Sequence, residues 1–420
     1  MIKRRVVITG LGVIAPNGIG AGDFWQANLS GRSGTDKITR FDASIFSSGI
    51  AGEVKNFNPL DHLPKDVAKR TDRFVHFGLV CAKEALADSK LDLSKEDLKR
   101  VGTIIGSGLG GAMFHEEQIL AGYEKGVHRL NPLCVPKISP NAVSAQIAIQ
   151  HNLQGINFVI STACSSGANA IGQALRAIQN NSADIVVTGG VEAPLTQFNF
   201  GAYDAMRVLS KRNDDPYGAS SPFDNRRDGF VMAEGGAILI AEELEHALKR
   251  NAHIYAELAG YACNCGANHM VIPKEDGTDA ADCMAQALKD AGLKLDQVDY
   301  INAHGTSTRQ NDRVETRAVK QLFGEQAYKI PISSTKSMHG HSIGASGAIE
   351  AVAVCLTIKD QTIPPTINYK EKDPDCDLDY VPNHARKAKV ENVLSNSFGF
   401  GSNNVCLTLK KYRFIDKKIS

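Results

Sequence analysis

The 420-residue sequence predicts an α/β fold made of two similar halves, and three observations carry that expectation. Short apolar runs of strand length alternate with segments of helical period, the pattern of strands joined by crossover helices. Several runs stop at glycines, as in Gly106-Ser107-Gly108-Leu109-Gly110-Gly111. Near residue 254 the pattern restarts and repeats a similar order of elements. About five strands per half, mainly parallel, follow from this alternation. The first half spans 1–252, the second 253–412, and 413–420 form a tail. No amino-acid repeat links the halves, so their similarity lies in element order.

In the first half, 6–9 is a buried strand that Gly10-Leu11-Gly12 ends, 23–29 a short helix and 35–59 irregular surface. Residues 66–89 carry Phe74, Phe77, Val80, Cys81 and Leu86 at helical spacing. A strand at 101–105 runs into the glycine cluster, which lacks the spacing of a dinucleotide-binding turn and reads as a loop of close backbone approach. A helix at 140–151, a strand at 156–160, a small-residue helix at 165–180 and a strand at 183–188 follow. Residues 198–227 read as a loop-rich insertion, 236–241 as a strand and 242–250 as a charged helix. The second half gives strands at 254–259, 298–303, 330–333, 390–395 and 405–410, with helices at 278–292, 314–323 and 343–358.

Charge sets limits on partners. Lys and Arg total 47 against 46 Asp and Glu, so bulk charge draws the chain neither to nucleic acid nor to an acidic membrane. The apolar run at 6–8 is too short for a signal sequence, and no stretch nears the roughly 20 apolar residues of a membrane span. Nine scattered cysteines, odd in number and without a CxxC pair, suit a reducing cytoplasm. His339-x-His341 and Cys263-x-Cys265 do not have the spacing of zinc knuckles, so no metal is expected.

Three stretches hold the candidate chemistry. In Ser161-Thr162-Ala163-Cys164-Ser165-Ser166-Gly167 a cysteine falls between strand and helix. The first turn of a helix offers unpaired N–H groups and the positive end of its dipole, which lowers a thiol's pKa. The same thiol could equally be a small core residue. His304 ends a buried strand beside Gly305, Thr306, Ser307 and Thr308, at the carboxyl edge where open α/β sheets bind ligands. The third stretch, Ser334-Thr335-Lys336-Ser337-Met338-His339-Gly340-His341, puts Lys336 and His341 in a polar loop before a helix of small residues. A thiolate can accept an acyl group while nearby N–H groups hold the oxyanion. Two histidines offer two donors suited to an enolate oxygen, which points to carbon–carbon bond formation on an acylated cysteine.

Together these stretches and Asn396-Ser397-Phe398-Gly399-Phe400-Gly401 resemble the elongating beta-ketoacyl-acyl-carrier-protein synthases of the thiolase superfamily, from Val6 to about Lys410. The resemblance implies a thiolase-like αβαβα layered fold in a dimer. It implies decarboxylative Claisen condensation of a Cys164-bound acyl chain with malonyl-carrier protein. His304 and His341 would assist decarboxylation and hold the enolate, with Lys336 and Glu350 orienting the site. The amides of Cys164 and Phe400 would form the oxyanion hole, and Phe400 would gate the acyl pocket, with Phe398 supporting it. Thr306 and Thr308 would contact the carrier's phosphopantetheine arm, so the enzyme needs no cofactor of its own. Lys65, Lys69, Arg70 and Arg207 would meet the acidic acyl carrier protein.

The sequence departs from the family pattern at several points. His339 replaces a usual threonine, Arg309 a usual proline, and Ser402 a usual glycine in the gate loop Gly399-Phe400-Gly401-Ser402-Asn403-Asn404. Leu133-Cys134 stand where bulkier aromatics are usual. The last three changes surround substrate entry and pocket shape. Two settings therefore fit: fatty acid or related chain elongation by a homodimer, or the catalytic ketosynthase of a type II polyketide or aryl-polyene system paired with a homologous chain-length-factor-like subunit.

Overall fold

The computed structural model describes residues 3–413, so positions 414–420 of the expected tail lie outside the described residues. Among the described residues the main sheet has eleven strands, ten in a continuous order and a short one, Gly18–Ile19, paired beside the first. The ten are β1 (Val6–Ala15), β2 (Val101–Gly106), β3 (Asn157–Ile160), β4 (Ile185–Glu192), β5 (Gly235–Glu243), β6 (Ala256–Cys265), β7 (Tyr300–Asn302), β8 (Ile332–Ser333), β9 (Asn392–Gly399) and β10 (Asn403–Lys410). Their order is β8-β7-β9-β10-β6-β1-β5-β4-β2-β3. Counted from either outer edge, each set of five runs third, second, fourth, fifth, first in chain order. The two sets join where β1 and β6 pair over only Val7↔Glu257 and Ile8↔Ala256.

Eight main helices cover and separate these half-sheets: α1 (Ala21–Leu29), α2 (Arg73–Ser89), α3 (Ala112–Lys125), α4 (Ala142–His151), α5 (Ser166–Gln179), α6 (Thr278–Asp290), α7 (Arg309–Phe323) and α8 (Ser346–Asp360). Helices α2 and α4 pack together on the outer face of the first half-sheet, and α6 and α7 on the outer side of the second. Helices α5 and α8 lie against each other and touch strands of both half-sheets. Residues 346–358 of α8 are all buried. Five layers result, with one apolar core around α5 and α8 and one beneath each outer helix layer. This is the expected layered architecture.

Several expectations are corrected. The sheet is mixed: β2 pairs in parallel with β3 and β4, and β7 with β8 and β9, but every other pairing of the main path is antiparallel. Only three residues separate β9 from β10, far too few for a parallel crossover. Gly10 and Gly12 do not end β1 but let α2 settle on it. A Cβ on Gly10 would lie 2.1 Å from the Ala85 carbonyl oxygen, and one on Gly12 2.0 Å from that of Cys81.

The helix expected over 66–89 is two, Lys65–Arg70 and α2, because Asp72 breaks the run and caps α2 by accepting from the Arg73 N–H. Within 35–59, residues 50–54 are buried rather than superficial. The insertion at 198–227 opens with a helix, Gln197–Ala205. Helix α3 was not foreseen. None of its side chains is buried, so no core-facing stripe marked it in the sequence.

Candidate active site

Cys164 sits in the turn between β3 and α5. Three local bonds shape that turn. The Thr162 N–H donates to the Ser166 hydroxyl (2.9 Å), which donates to the Ala163 carbonyl (2.6 Å), while the Ser165 hydroxyl donates to the Thr162 carbonyl (2.8 Å). Ala163 is held at φ 50°, a left-handed conformation that costs an L-residue on the order of 1 kcal/mol or more. The helix-start position led us to expect a lowered thiol pKa, and the structure reverses this. Burial pushes the thiol up to about 12, against the pull of Lys336 and of the Phe400 amide, and Glu192 adds to the rise. Desolvation outweighs the helix terminus because Cys164 is only 5% exposed. At rest the Cys164 thiol is neutral.

His304 follows β7, and α7 fixes its backbone: the His304 and Gly305 amides each donate to Glu315 at 2.8 Å. His341 follows β8 and the one-turn helix Lys336–His339. Its N–H donates to the Val231 carbonyl (2.7 Å) and its carbonyl accepts from the Ala233 N–H (2.9 Å), so a first-half segment straps it in place. The two imidazoles meet edge to face, with centroids 5.5 Å apart.

Behind them the Lys336 ammonium pairs with Glu350 of α8 and lies 3.4 Å from His304 Nδ1. An ammonium only donates, so Nδ1 of His304 is the acceptor and Nε2 carries the proton. His341 Nδ1 bonds the Ser346 hydroxyl at 2.8 Å. Burial, reinforced by Lys336, holds both imidazoles well below their ordinary pKa, so both are neutral. Burial pushes the Glu350 carboxyl up to about 7 against the pull of Lys336.

Cys164, His304 and His341 line one cleft, together with the expected Thr306, Thr308, Phe398 and Phe400. Thr308 also caps α7, accepting from the Asn311 N–H. Phe400 lies between β9 and β10, with its amide toward the Cys164 sulfur and its ring stacked on Tyr203 at 6.4 Å. Ser402 takes φ 59°, and its hydroxyl accepts from the Asn268 and His269 N–H groups (3.3 and 3.4 Å) and donates to the His269 carbonyl (3.1 Å). The loop 399–404 is thereby tied to the segment 266–272.

Of the four expected carrier contacts, Arg207 is exposed beside Val208, which lines the cleft. Lys65, Lys69 and Arg70 are exposed on their short helix and contribute nothing to the lining. Sequence reasoning missed Tyr203 and Phe230, which line the cleft from the 198–227 insertion and just beyond it, and Ser346 behind His341. No spacing joins Tyr203 or Phe230 to the motifs, because the fold brings them there, whereas Ser346 lies only five residues beyond His341.

His339 does not face the cleft. Its Nδ1 donates to the Gly340 carbonyl (2.9 Å) and its Nε2 accepts from the Thr335 hydroxyl (3.1 Å), so both nitrogens are used within the loop itself. Burial pulls its pKa from 6.5 to about 3. The unfolded chain takes up this proton below pH 6.5 while the folded chain refuses it, so this contribution to stability is full above pH 6.5 and is lost as pH falls toward 3. At pH 5 the loss is about 2 kcal/mol. His339→Asn should therefore shrink the stability difference between pH 7 and pH 5 by that amount, read from urea midpoints at both values. An unchanged difference would contradict the buried neutral imidazole.

Comparison with known proteins agrees with this geometry. The model of the beta-ketoacyl synthase N-terminal domain matches residues 3–247, and that of the C-terminal domain residues 255–370. The chain is 49% identical over 411 residues to 3-oxoacyl-[acyl-carrier-protein] synthase 2 of Synechocystis, covering 98% of this chain and 99% of the relative. The Coxiella burnetii protein of the same name is 48% identical with the same coverage. Among solved structures, a type II polyketide ketosynthase in complex with its acyl-carrier protein and bound to the hexaketide superposes with a TM-score of 0.91 at 39% identity, over 98% of this chain and 100% of that one. The ishigamide ketosynthase/chain length factor gives 0.91 at 34% identity, with the same coverage. By layered fold, by motif and by full-length similarity, the chain belongs to the beta-ketoacyl synthase family.

Proposed function

We propose that this chain is a 3-oxoacyl-acyl-carrier-protein synthase that elongates acyl chains by decarboxylative Claisen condensation. The carrying observation is that Cys164, His304 and His341, supplied by both halves of the chain, converge on one cleft. The Cys164 sulfur attacks the acyl thioester of a carrier, its proton leaves with the departing carrier thiol, and the acyl chain stays on sulfur. The Cys164 and Phe400 amides hold the oxyanion formed in that step. Malonyl-carrier protein then loses carbon dioxide, and the Nε2–H groups of His304 and His341 hold the enolate oxygen. The enolate carbon attacks the acyl carbon, the Cys164 thiolate leaves and takes a proton from solvent, and the β-ketoacyl chain departs on the carrier. Lys336 and Glu350 keep His304 in the donor tautomer.

Thr306 and Thr308 line the side of the cleft suited to the carrier's phosphopantetheine arm, with Phe398 supporting the histidines at 5.7 Å from the His304 ring. The arm arrives with the substrate, so the chain supplies no cofactor of its own. Lys65, Lys69, Arg70 and Arg207 are the proposed contacts for an acidic acyl carrier protein. We also propose that the chain divides into halves near residue 252, each carrying one half of the site. A dimer is supported by the apolar side chains that α3 and its surroundings leave exposed, among them Tyr123 (91%), Val135 (73%) and Phe198 (75%). A cytoplasmic setting is supported by nine free cysteines. No helix among the described residues is long and apolar enough to cross a membrane.

Fatty acid elongation is the setting that the 44–49% identity to synthases of that name supports. A second reading, the ketosynthase of a type II polyketide system with a chain-length-factor partner, is favoured by the structural neighbours at 34–39% identity. Intact-mass analysis of the protein offered a series of acyl carriers separates them. Loading of saturated chains by the protein alone supports the first, and loading only of poly-keto or unsaturated chains, or only with a homologous partner, supports the second.

The gate is testable separately. Ser402→Ala keeps the strained backbone but removes the hydroxyl, and each hydrogen bond contributes about 1 kcal/mol. Amide exchange at Asn268 and His269 should then quicken about tenfold. Unchanged protection there would show that Ser402 does not hold the gate.

A further inference from the structure

Glu192 closes β4, is fully buried, and accepts only from neutral donors, with no salt bridge among the described residues. Its two oxygens accept four hydrogen bonds. Oε1 takes the Leu109 N–H (3.0 Å) and the Ser107 hydroxyl (3.1 Å), and Oε2 takes the Gly108 N–H (2.7 Å) and the Gly344 N–H (3.0 Å). Ser107, Gly108 and Leu109 follow β2 in the first half, whereas Gly344 comes three residues after His341 in the second. One carboxyl thus ties together a loop from each half.

Both loops lie against strained turns. Ile343, between His341 and Gly344, has φ 45°, which a β-branched residue tolerates poorly, and Ala163 before Cys164 has φ 50°. A Cβ placed on Gly108 would stand 3.0 Å from Glu192 Oε2, 3.5 Å from Ile343 Cγ2 and 3.9 Å from the Ala163 carbonyl oxygen. The Ser161 hydroxyl also donates to the Gly108 carbonyl at 3.4 Å. The nucleophile's turn and the histidine's turn therefore meet on the loop that Glu192 holds. Backbone strain of this kind persists only where surrounding bonds over-determine it.

We propose that Glu192 is a positioning residue that sets the Cys164 turn in register with the His341 turn. The inference rests on the reading of Cys164 and His341 as the condensation pair. All four partners donate, so the position calls for a group that only accepts. Glutamine would turn its NH2 against two of them. Burial pushes the carboxyl up to about 7, so it is ionised where the buried thiol titrates. Around that thiol stand Lys336, Glu192, Tyr203, His304, His341 and the Phe400 amide. Of these, Glu192 is the anion that opposes the thiolate.

The test is Glu192→Gln in the full-length protein, with three readouts. Condensation kcat should fall about 10- to 100-fold. KM for the carrier substrates should stay within about threefold, because carriers dock at the cleft mouth and not on this carboxyl. The pH midpoint for alkylation of Cys164 by iodoacetamide in the substrate-free enzyme should move down by about half a unit or more. Wild-type kcat, or a fall in kcat with the alkylation midpoint unmoved, would overturn the proposal. Should Glu192→Gln not fold, Ser107→Ala removes one donor and leaves the carboxylate in place. A threefold or greater fall in kcat at constant KM is then expected, and no fall overturns the proposal. Either failure is distinct from failure of the condensation reading, which the wild-type protein tests by forming, or not forming, an acyl adduct on Cys164.

Discussion

Cys164→Ala should lose condensation by about four orders of magnitude or more, the scale seen when a covalent nucleophile is removed from an otherwise intact site. On the proposed mechanism the site loses its acyl acceptor outright, because Cys164 supplies the only thiol among the described residues that line the cleft. Eight further free thiols lie elsewhere in the protein, among them Cys263 and Cys265, exposed on β6, and Cys355, buried in α8 with its thiol held well above the ordinary range. Intact mass should show the acyl increment on the wild type and none on the variant. Malonyl-carrier protein should still be decarboxylated slowly, since both histidines remain. Full condensation by the variant would remove Cys164 from the mechanism.

His341→Ala should separate the two half-reactions. On the proposed roles the variant loses one of two enolate donors, and removing one preorganised donor costs about 10²–10³ in rate. Decarboxylation should fall by that factor, while acylation of Cys164, whose proposed oxyanion donors are backbone amides, should fall about tenfold or less. Timed mass analysis of acylation beside release of labelled carbon dioxide gives both numbers on one preparation. Equal losses would mean that His341 serves the thiol as much as the enolate. The first-half strap on its backbone, through Val231 and Ala233, makes collapse of the whole loop an unneeded explanation for a selective loss.

Much of the site was legible because its reactive groups sit at the ends of strands, where apolar runs give way to glycine and hydroxyls. Cys164, His304, Lys336 and His341 all fall at such junctions. The charge state of Cys164 was not legible. A helix start predicts a thiolate, but desolvation depends on Phe400, Tyr203 and Phe230 arriving from distant segments, and it dominates. Strand direction was misread for a related reason: alternation of strands and helices suggests parallel pairing, yet the tight hairpin at Phe400 and the central β1–β5 pairing are antiparallel. Glycines were read as stops when, in β1, they are seats for α2. Helix α3 carries no core-facing stripe, since none of its side chains is fully buried and Met113 alone packs against a core.

The back-to-back helices α5 and α8 bear on how the enzyme fails. One starts at the nucleophile's turn and the other just after His341, and both run through the central core between the half-sheets. There is consequently no hinge along which the halves can part while each stays folded. Heat inactivation and loss of the central core should be a single cooperative event, so residual activity and tertiary signal should decline along the same curve.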